Sequence, residues 1–182
     1  MLWYIFKLCI IVLVVLPVYL LIRRPWQEKS ARAWVETAFM VFMAGLMALV
    51  LEGEYGNPVR MAETAAGRIA AGEGMNLIPF RTISGFFRHF APDDFLINVV
   101  GNIVMFIPWG FGLVLLWKRK QTIRSVILHS FLLPVFIETS QLFIGRNVDV
   151  DDLILNFLGG CLGVGLYFGL RKAVPDLEKL AR

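Results

Sequence analysis

Residues 95–117 read FLINVVGNIVMFIPWGFGLVLLW, a run that contains no charged side chain. A helix that crosses the hydrocarbon core of a bilayer needs about 20 predominantly apolar residues, with a tolerated range of about 17–25. The run has this length, and its two amide side chains, Asn98 and Asn102, both lie near its start. We therefore predict that residues 95–117 cross a membrane as a helix.

On either side of this run the chain has four more segments of spanning length: Leu2–Ile22, Trp34–Leu51, Ile123–Ile144 and Leu153–Leu170. The composition agrees, because 58% of the residues are hydrophobic and the mean hydropathy is +0.69, whereas soluble domains are roughly half apolar. The first segment lacks a basic start and a small-residue cleavage site, which indicates a retained helix. The sequence predicts an all-α, polytopic bundle of about five transmembrane helices, with residues 1–182 as a single membrane domain.

The distribution of charge predicts the orientation of this bundle. Three clusters, within residues 23–32, 118–124 and 171–182, hold most of the 18 lysines and arginines, and most of the 14 acids lie in the connections on the opposite side. Short cytoplasmic loops carry the basic excess, so we predict an outside N-terminus and a cytoplasmic C-terminus. Because the basic residues lie at the ends of apolar runs, the net charge of +4 is read as a topology signal, and no nucleic-acid partner is expected.

The long outside connection, residues 52–94, contains a segment with helical amphipathicity. Its apolar side chains fall within an arc of roughly 120° on a helical wheel, and they are Phe80, Ile83, Phe86, Phe87 and Phe90. Such a helix is expected to lie in the outer membrane interface with its phenylalanines among the acyl chains. A helix packed on the protein itself is the alternative, and the pattern favours neither.

Polar side chains inside the predicted helices gather at one depth. Side chains inside a membrane that can ionise or form hydrogen bonds are costly and usually face the bundle interior or a wet cavity. The direction in which each helix crosses places Asn98, Asn102, Glu138, Gln141, Asp152 and Asn156 in the outer half. Glu138 must be paired, hydrated or protonated there, and Arg146 is the nearest base. A pair between them requires the chain to turn back, which Gly145 permits.

The loop between predicted helices four and five concentrates the acids Asp149, Asp151 and Asp152. Asp151 or Asp152 is expected to cap the fifth helix, with the other acids solvated. A site for a divalent cation is the alternative, but the spacing lacks the glycine and distal glutamate of an EF-hand loop. We predict no metal and no cofactor. The pairs Gly159/Gly163 and Gly165/Gly169 are expected to let helix five approach a neighbouring helix closely.

Three blocks of this sequence resemble the VanZ-like family of membrane proteins. They are NLIPF (Asn76–Phe80), NVVGNIVMFIPWG (Asn98–Gly110) and ETSQLFIGRNVDVDDLILNFLGG (Glu138–Gly160), the third being the most specific. Together they mark residues 76–165 as the VanZ-like motif core. The chain departs from the family pattern at Pro134, where a small polar residue is expected a turn before Glu138 and where proline can kink the helix.

The resemblance implies a multi-pass protein of the bacterial cytoplasmic membrane, related to a protein linked with teicoplanin resistance. We expect a non-enzymatic protein whose outer-leaflet pocket binds membrane lipids, a lipid-linked cell-wall precursor or a lipoglycopeptide. The candidate pocket residues are Asn98, Asn102, Glu138, Gln141, Arg146, Asp149, Asp152 and Asn156. One alternative is an enzyme acting on an envelope lipid, with Glu138 as its general acid or base. A transporter is a weaker alternative, because no inverted repeat is evident.

Overall fold

A computed structural model describes residues 2–28, 30–51, 53, 57–89, 92–117 and 122–180, with the backbone alone for residues 2–12 and His89. Phe90, which the amphipathic pattern included, and residues 118–121 of the middle basic cluster therefore lie outside the described residues. The same holds for residues 52 and 54–56 of the long outside connection.

The described chain is almost entirely helical. Its α-helices are α1 (Leu2–Arg23), α2 (Pro25–Glu28), α3 (Ala31–Val50), α4 (Pro58–Ala71), α5 (Arg81–His89), α6 (Pro92–Phe95), α7 (Gly101–Leu116), α8 (Ile123–Phe143) and α9 (Val150–Ala173). A π-helical segment, Leu96–Val100, joins α6 to α7, and a 3-10 helix, Pro175–Leu180, follows α9. Two short strands, β1 (Met75–Asn76) and β2 (Val148–Asp149), pair in parallel.

Four helices in the described part of the chain are long and apolar enough to cross a membrane: Ala31–Val50, Pro92–Leu116, Ile123–Phe143 and Val150–Ala173. They match the second to fifth predicted spans within a few residues and confirm the all-α membrane bundle. The helix α1 has 22 residues, but the side chains of residues 2–12 are outside the described set. The five-helix count therefore stays a prediction.

The helix α9 begins at Val150 because Asp149 caps it. The Asp149 carboxylate accepts a hydrogen bond from the backbone N–H of Asp151 at 2.9 Å, which satisfies one of the donors that a helix start leaves unpaired. The prediction that Asp151 or Asp152 caps this helix is therefore wrong. Asp151 is also fully buried, so it neither caps α9 nor is solvated, the two roles that the sequence left open for it.

The helices α7 and α9 form the tightest contact of the bundle, which we call the glycine seam: Gly110, Gly159, Gly160 and Gly163. A Cβ atom at Gly159 or Gly163 would overlap a backbone carbonyl oxygen of α7. The predicted role of this pair is confirmed. The same prediction for Gly165 and Gly169 is wrong, since a Cβ atom at either position would meet no described atom within 4 Å.

Hydrogen bonds between helix ends show that successive spans run in opposite directions. Arg32, near the start of α3, donates to the carbonyl of Leu116 at the end of α7, at 2.8 Å. At the other end, Gln141 of α8 donates to the carbonyl of Val50, the last residue of α3, at 2.9 Å. We call these the basic end and the acidic end, because the first carries Arg23 and Arg32 and the second carries Asp149–Asp152.

Candidate functional site

A cavity of about 720 Å³ opens at the acidic end between α3, α8, α9 and the start of α7. Seven of the eight candidate residues line it: Asn98, Asn102, Glu138, Gln141, Arg146, Asp152 and Asn156. The eighth, Asp149, lines an adjoining cavity of about 430 Å³ that shares Asn98, Arg146 and Asp152 with the first. The polar residues that were expected at one depth thus surround one continuous region.

The α7 side of the cavity depends on an irregular turn of helix. Asn98 lies in the π-helical segment, and its amide donates to the carbonyl of Asp94 at 2.8 Å. Asn102 lies one turn on, in the first turn of α7, and its amide donates to one carboxylate oxygen of Asp152 at 2.8 Å. Short π-helical insertions occur frequently at functional sites, and this one carries a residue that lines both cavities.

Glu138 is the one acid in α8, and it is buried, with 3% of its surface exposed. Its Oε2 accepts a hydrogen bond from the backbone N–H of Asp149 at 3.0 Å. Gly145, with φ of +76°, turns the chain back after α8 and so brings this amide within reach. The hypothesis that Glu138 pairs with Arg146 is wrong, because the described contacts contain no ion pair between them and a backbone amide takes that place.

Arg146 and Gln141 instead hold the end of α3. The guanidinium of Arg146 and the amide of Gln141 both donate to the carbonyl oxygen of Val50, at 3.1 Å and 2.9 Å. This oxygen belongs to the last turn of a helix, where carbonyls lack an intrahelical partner. The two donors therefore satisfy it, and they fix α3 against the loop that follows α8.

Two buried acceptor atoms belong to side chains that line the cavity. Among the described residues, neither Oε1 of Glu138 nor Oδ1 of Asn156 has a hydrogen-bond partner. Asn156 is 4% exposed. An unpaired buried acceptor costs about 1–3 kcal/mol, and native proteins usually satisfy such groups with protein or water. Both side chains line a space large enough for a polar molecule that could donate to them.

Asp151, which the sequence did not single out as a site residue, organises the loop beside the cavity. It lies in the first turn of α9, and its carboxylate accepts hydrogen bonds from the backbone N–H groups of Phe80, Thr82 and Ile83. Phe80 directly precedes α5 and the other two donors lie in its first turn, so Asp151 caps a helix about seventy residues away in sequence. Phe80 has φ of +64°, a conformation that is rare for a bulky residue.

A second group of contacts joins the NLIPF block to the acidic loop. The amide of Asn76 donates to Asp149 at 2.9 Å and to the hydroxyl of Thr82 at 3.0 Å. That hydroxyl donates to the other oxygen of Asp149 at 2.6 Å. Asn76 and Thr82 were not among the candidate residues, although Asn76 opens the first family block. Among the described residues, no three acids, histidines or cysteines are grouped so that they could hold a metal ion.

Apolar side chains flank the cavity. Leu49 on α3 is 41% exposed and Ile97 in the π-helical segment is 67% exposed, and both line it. Phe87 on α5 is 67% exposed and its ring contacts that of Phe95, with 5.1 Å between centroids. Exposed apolar groups of this size suit acyl chains better than water. The arrangement therefore combines a polar interior with an apolar rim.

Comparison with known proteins gives one family match and two curated relatives. A family model described as VanZ/LLP1 matches residues 5–171. The chain is 39% identical over 79 residues to the uncharacterized membrane protein YwnJ of Bacillus subtilis (strain 168), covering 43% of this chain and 51% of that protein. It is 31% identical over 108 residues to Protein VanZ of Enterococcus faecium, covering 59% and 60%. The matches span between half and three-fifths of these relatives, and no solved structure matches significantly.

Proposed function

The chain belongs to the VanZ/LLP1 family, and from that premise we propose that its polar cavity binds the headgroup of a lipid-linked or amphiphilic ligand of the cell envelope. The protein is a multi-pass bacterial membrane protein, as its four apolar helices and its membrane-protein relatives indicate. In this proposal the protein is a binding protein, and its ligand enters from the lipid phase.

The proposed topology places the cavity in the outer leaflet. With α1 as a fifth span, the N-terminus is outside and the C-terminus is cytoplasmic, because the basic end carries the excess of arginine and lysine. The acidic end then faces outward. The helix α5 lies in the outer interface, where the exposed ring of Phe87 contacts acyl chains and the side chain of Arg88, also exposed, reaches the headgroups.

The observation that carries the proposal is the pair of unpartnered buried acceptors in a cavity with an apolar rim. Oε1 of Glu138 and Oδ1 of Asn156 require hydrogen-bond donors, while the exposed side chains of Leu49 and Ile97 favour an apolar chain. An amphiphile meets both requirements, because its headgroup can donate hydrogen bonds and its apolar chain can contact the rim. A small water-soluble ligand would leave the rim without an apolar partner.

The link to resistance follows as a consequence of binding. The family resemblance connects the chain with teicoplanin resistance, and teicoplanin is a lipoglycopeptide. A protein that sequesters a lipid-linked cell-wall precursor, or the antibiotic itself, at the outer surface would lower the amount of antibiotic on its target. This effect requires no chemical reaction.

Native mass spectrometry of the detergent-purified protein with extracted envelope lipids and teicoplanin tests the proposal. Wild type is expected to retain a ligand that the Glu138→Ala/Asp152→Ala variant loses, because that variant removes acids from two walls of the cavity. The matched control is Glu63→Ala/Asp176→Ala, which removes two exposed acids elsewhere. Identical spectra for all three proteins, with the variants folded, would contradict binding at this cavity.

The second candidate function is an enzyme that acts on an envelope lipid. It is favoured by Glu138, a carboxylate that is 3% exposed, lines a cavity and keeps one oxygen unpartnered. Such a group could act as a general acid or base. Product formed from a radiolabelled envelope lipid by wild type but not by Glu138→Gln would establish this activity, and repeated absence of turnover across lipid classes would exclude it.

A further inference from the structure

We infer that the headgroup bound in the cavity carries a primary ammonium group next to a phosphate, as in a zwitterionic aminophospholipid. This inference deepens the proposed function and rests on it. It follows from what the cavity walls offer: acceptor atoms that need donors, a negative balance of charge, and one arginine at the rim.

Three acceptor atoms on side chains that line the cavity have no hydrogen-bond partner among the described residues. Two are the buried atoms Oε1 of Glu138 and Oδ1 of Asn156. The third is the second carboxylate oxygen of Asp152, since the first accepts from Asn102 and no other hydrogen bond to this side chain occurs among the described residues. A primary ammonium group carries three N–H donors and no acceptor. It has as many donors as this set has acceptors, and we place it among Glu138, Asp152 and Asn156.

The charge of the walls disfavours a purely anionic headgroup. The cavity is lined by two acids, Glu138 and Asp152, and one base, Arg146, while its other lining residues are uncharged. Asp149 in the adjoining cavity adds a third acid. Even with Glu138 neutral, an anion placed here would meet the carboxylates of Asp149 and Asp152 against one guanidinium, and like charges at close range repel in a medium of low dielectric constant. A cationic group on the ligand reverses the sign of that interaction.

Arg146 provides the complementary site for the phosphate. One guanidinium nitrogen donates to Val50, and the described residues supply no acceptor for the remaining N–H groups. The side chain lines both cavities at the point where they adjoin, next to Asp152. Guanidinium groups bind phosphate oxygens through paired N–H donors. A headgroup with its amine toward Asp152 and its phosphate toward Arg146 thus satisfies both charges.

The inference predicts a strict chemical preference. A trimethylated amine keeps the positive charge but has no N–H donor, so it cannot satisfy the three acceptors. We expect the protein to bind an ethanolamine lipid about tenfold more tightly than the choline lipid with the same acyl chains, because hydrogen bonds to charged groups account for a tenfold or larger difference in affinity. The lipid with a phosphoglycerol headgroup, which is anionic overall, is expected to bind more weakly than the choline lipid.

The experiment measures retention of four lipids with identical dioleoyl chains by the full-length protein, using native mass spectrometry. The lipids carry ethanolamine, N,N-dimethylethanolamine, choline or glycerol headgroups, and soluble glycerophosphoethanolamine is added as a competitor. Asp152→Asn is the test variant, since asparagine can still accept from Asn102 while losing the charge. Glu63→Gln, an exposed acid on α4, is the matched control.

The inference is supported if wild type and Glu63→Gln retain more of the ethanolamine lipid than of the choline lipid. In Asp152→Asn, retention of the ethanolamine lipid should fall to within about twofold of that of the choline lipid. Displacement by the soluble headgroup shows that the headgroup alone is recognised. Equal or stronger retention of the glycerol lipid overturns the inference and leaves the proposed function standing. If wild type retains none of the four lipids and no envelope lipid, both fail. The wild-type lipid series decides the matter even if Asp152→Asn does not fold.

Discussion

The helices α7 and α9 meet in two different ways along their length. At the glycine seam their backbones touch, because Gly110, Gly159 and Gly163 have no side chain to hold them apart. Toward the acidic end, Asn102, Asp152 and other polar side chains line a cavity instead. The difference shows how one helix pair can supply both rigidity and a binding space. The seam fixes the angle of the helices, and the cavity lies where their polar side chains begin.

The seam is expected to show the largest effect on stability. Gly163→Leu would drive a side chain into the carbonyl of Ile107, whereas a Cβ atom at Gly165, two residues on, would meet no described atom within 4 Å. Overpacking typically costs about 1–3 kcal/mol, and a clash with backbone atoms places this substitution at the upper end, about 3 kcal/mol. We expect Gly163→Leu to lower the free energy of unfolding in detergent by that amount and Gly165→Leu to leave it nearly unchanged. Equal stability of the two variants would show that the helices do not pack closely here.

The contact of Asp151 with the start of α5 is expected to show the next largest effect. Asp151→Asn removes the charge and one of two acceptor oxygens that serve Phe80, Thr82 and Ile83. Hydrogen bonds to charged groups contribute about 1.5–3 kcal/mol each, so we expect a loss of about 2 kcal/mol. The measurement is amide hydrogen exchange of residues 80–83.

Exchange should accelerate in this segment while the seam in α9 stays protected. Asp176→Asn, which changes an exposed acid in the C-terminal 3-10 helix, is the control and should leave exchange unchanged. Unaltered protection of residues 80–83 in Asp151→Asn would mean that Asp151 does not hold α5 in place.

Glu138→Gln is expected to show the smallest effect on stability, and Glu138→Ala a larger one. Glu138→Gln retains an oxygen that can accept from the amide of Asp149, so we expect a change within about 1 kcal/mol. Glu138→Ala leaves that amide unpaired and is expected to cost about 1–3 kcal/mol. Chemical unfolding of both variants checks the order. A larger loss for Gln than for Ala would contradict the contact with Asp149.

Much of the difference between the glycine seam and the cavity could be predicted from the sequence, because it depends on local patterns. The length of each apolar run gives the spans, and the direction of each helix gives the depth of Asn102, Glu138 and Asn156. The spacing of Gly159 and Gly163 indicates a close approach of helices. Periodicity and depth are properties of single segments, so they can be worked out without knowing which segments pack together.

The contacts that were missed join segments far apart in the chain. Asp151 accepts a hydrogen bond from the backbone amide of Thr82, and β1 pairs with β2. These residues are far apart in the sequence, and no sequence periodicity relates them. The error over Glu138 has the same origin. Its proximity in sequence to Arg146 suggested an ion pair, but the turn at Gly145 presents a backbone amide instead, and every residue carries such a donor.

Filling the cavity without altering its polar groups tests the central claim most directly. Gly101 lines the cavity, and a Cβ atom there would meet only the carbonyl oxygen of Leu96, at 3.7 Å. Gly101→Leu should therefore fold and occupy the space, while Gly165→Leu adds the same side chain outside it. We predict that purified Gly101→Leu retains at least about tenfold less envelope lipid than wild type, as expected from steric exclusion, and that Gly165→Leu retains the wild-type amount. Equal retention by folded Gly101→Leu would contradict a ligand in this cavity.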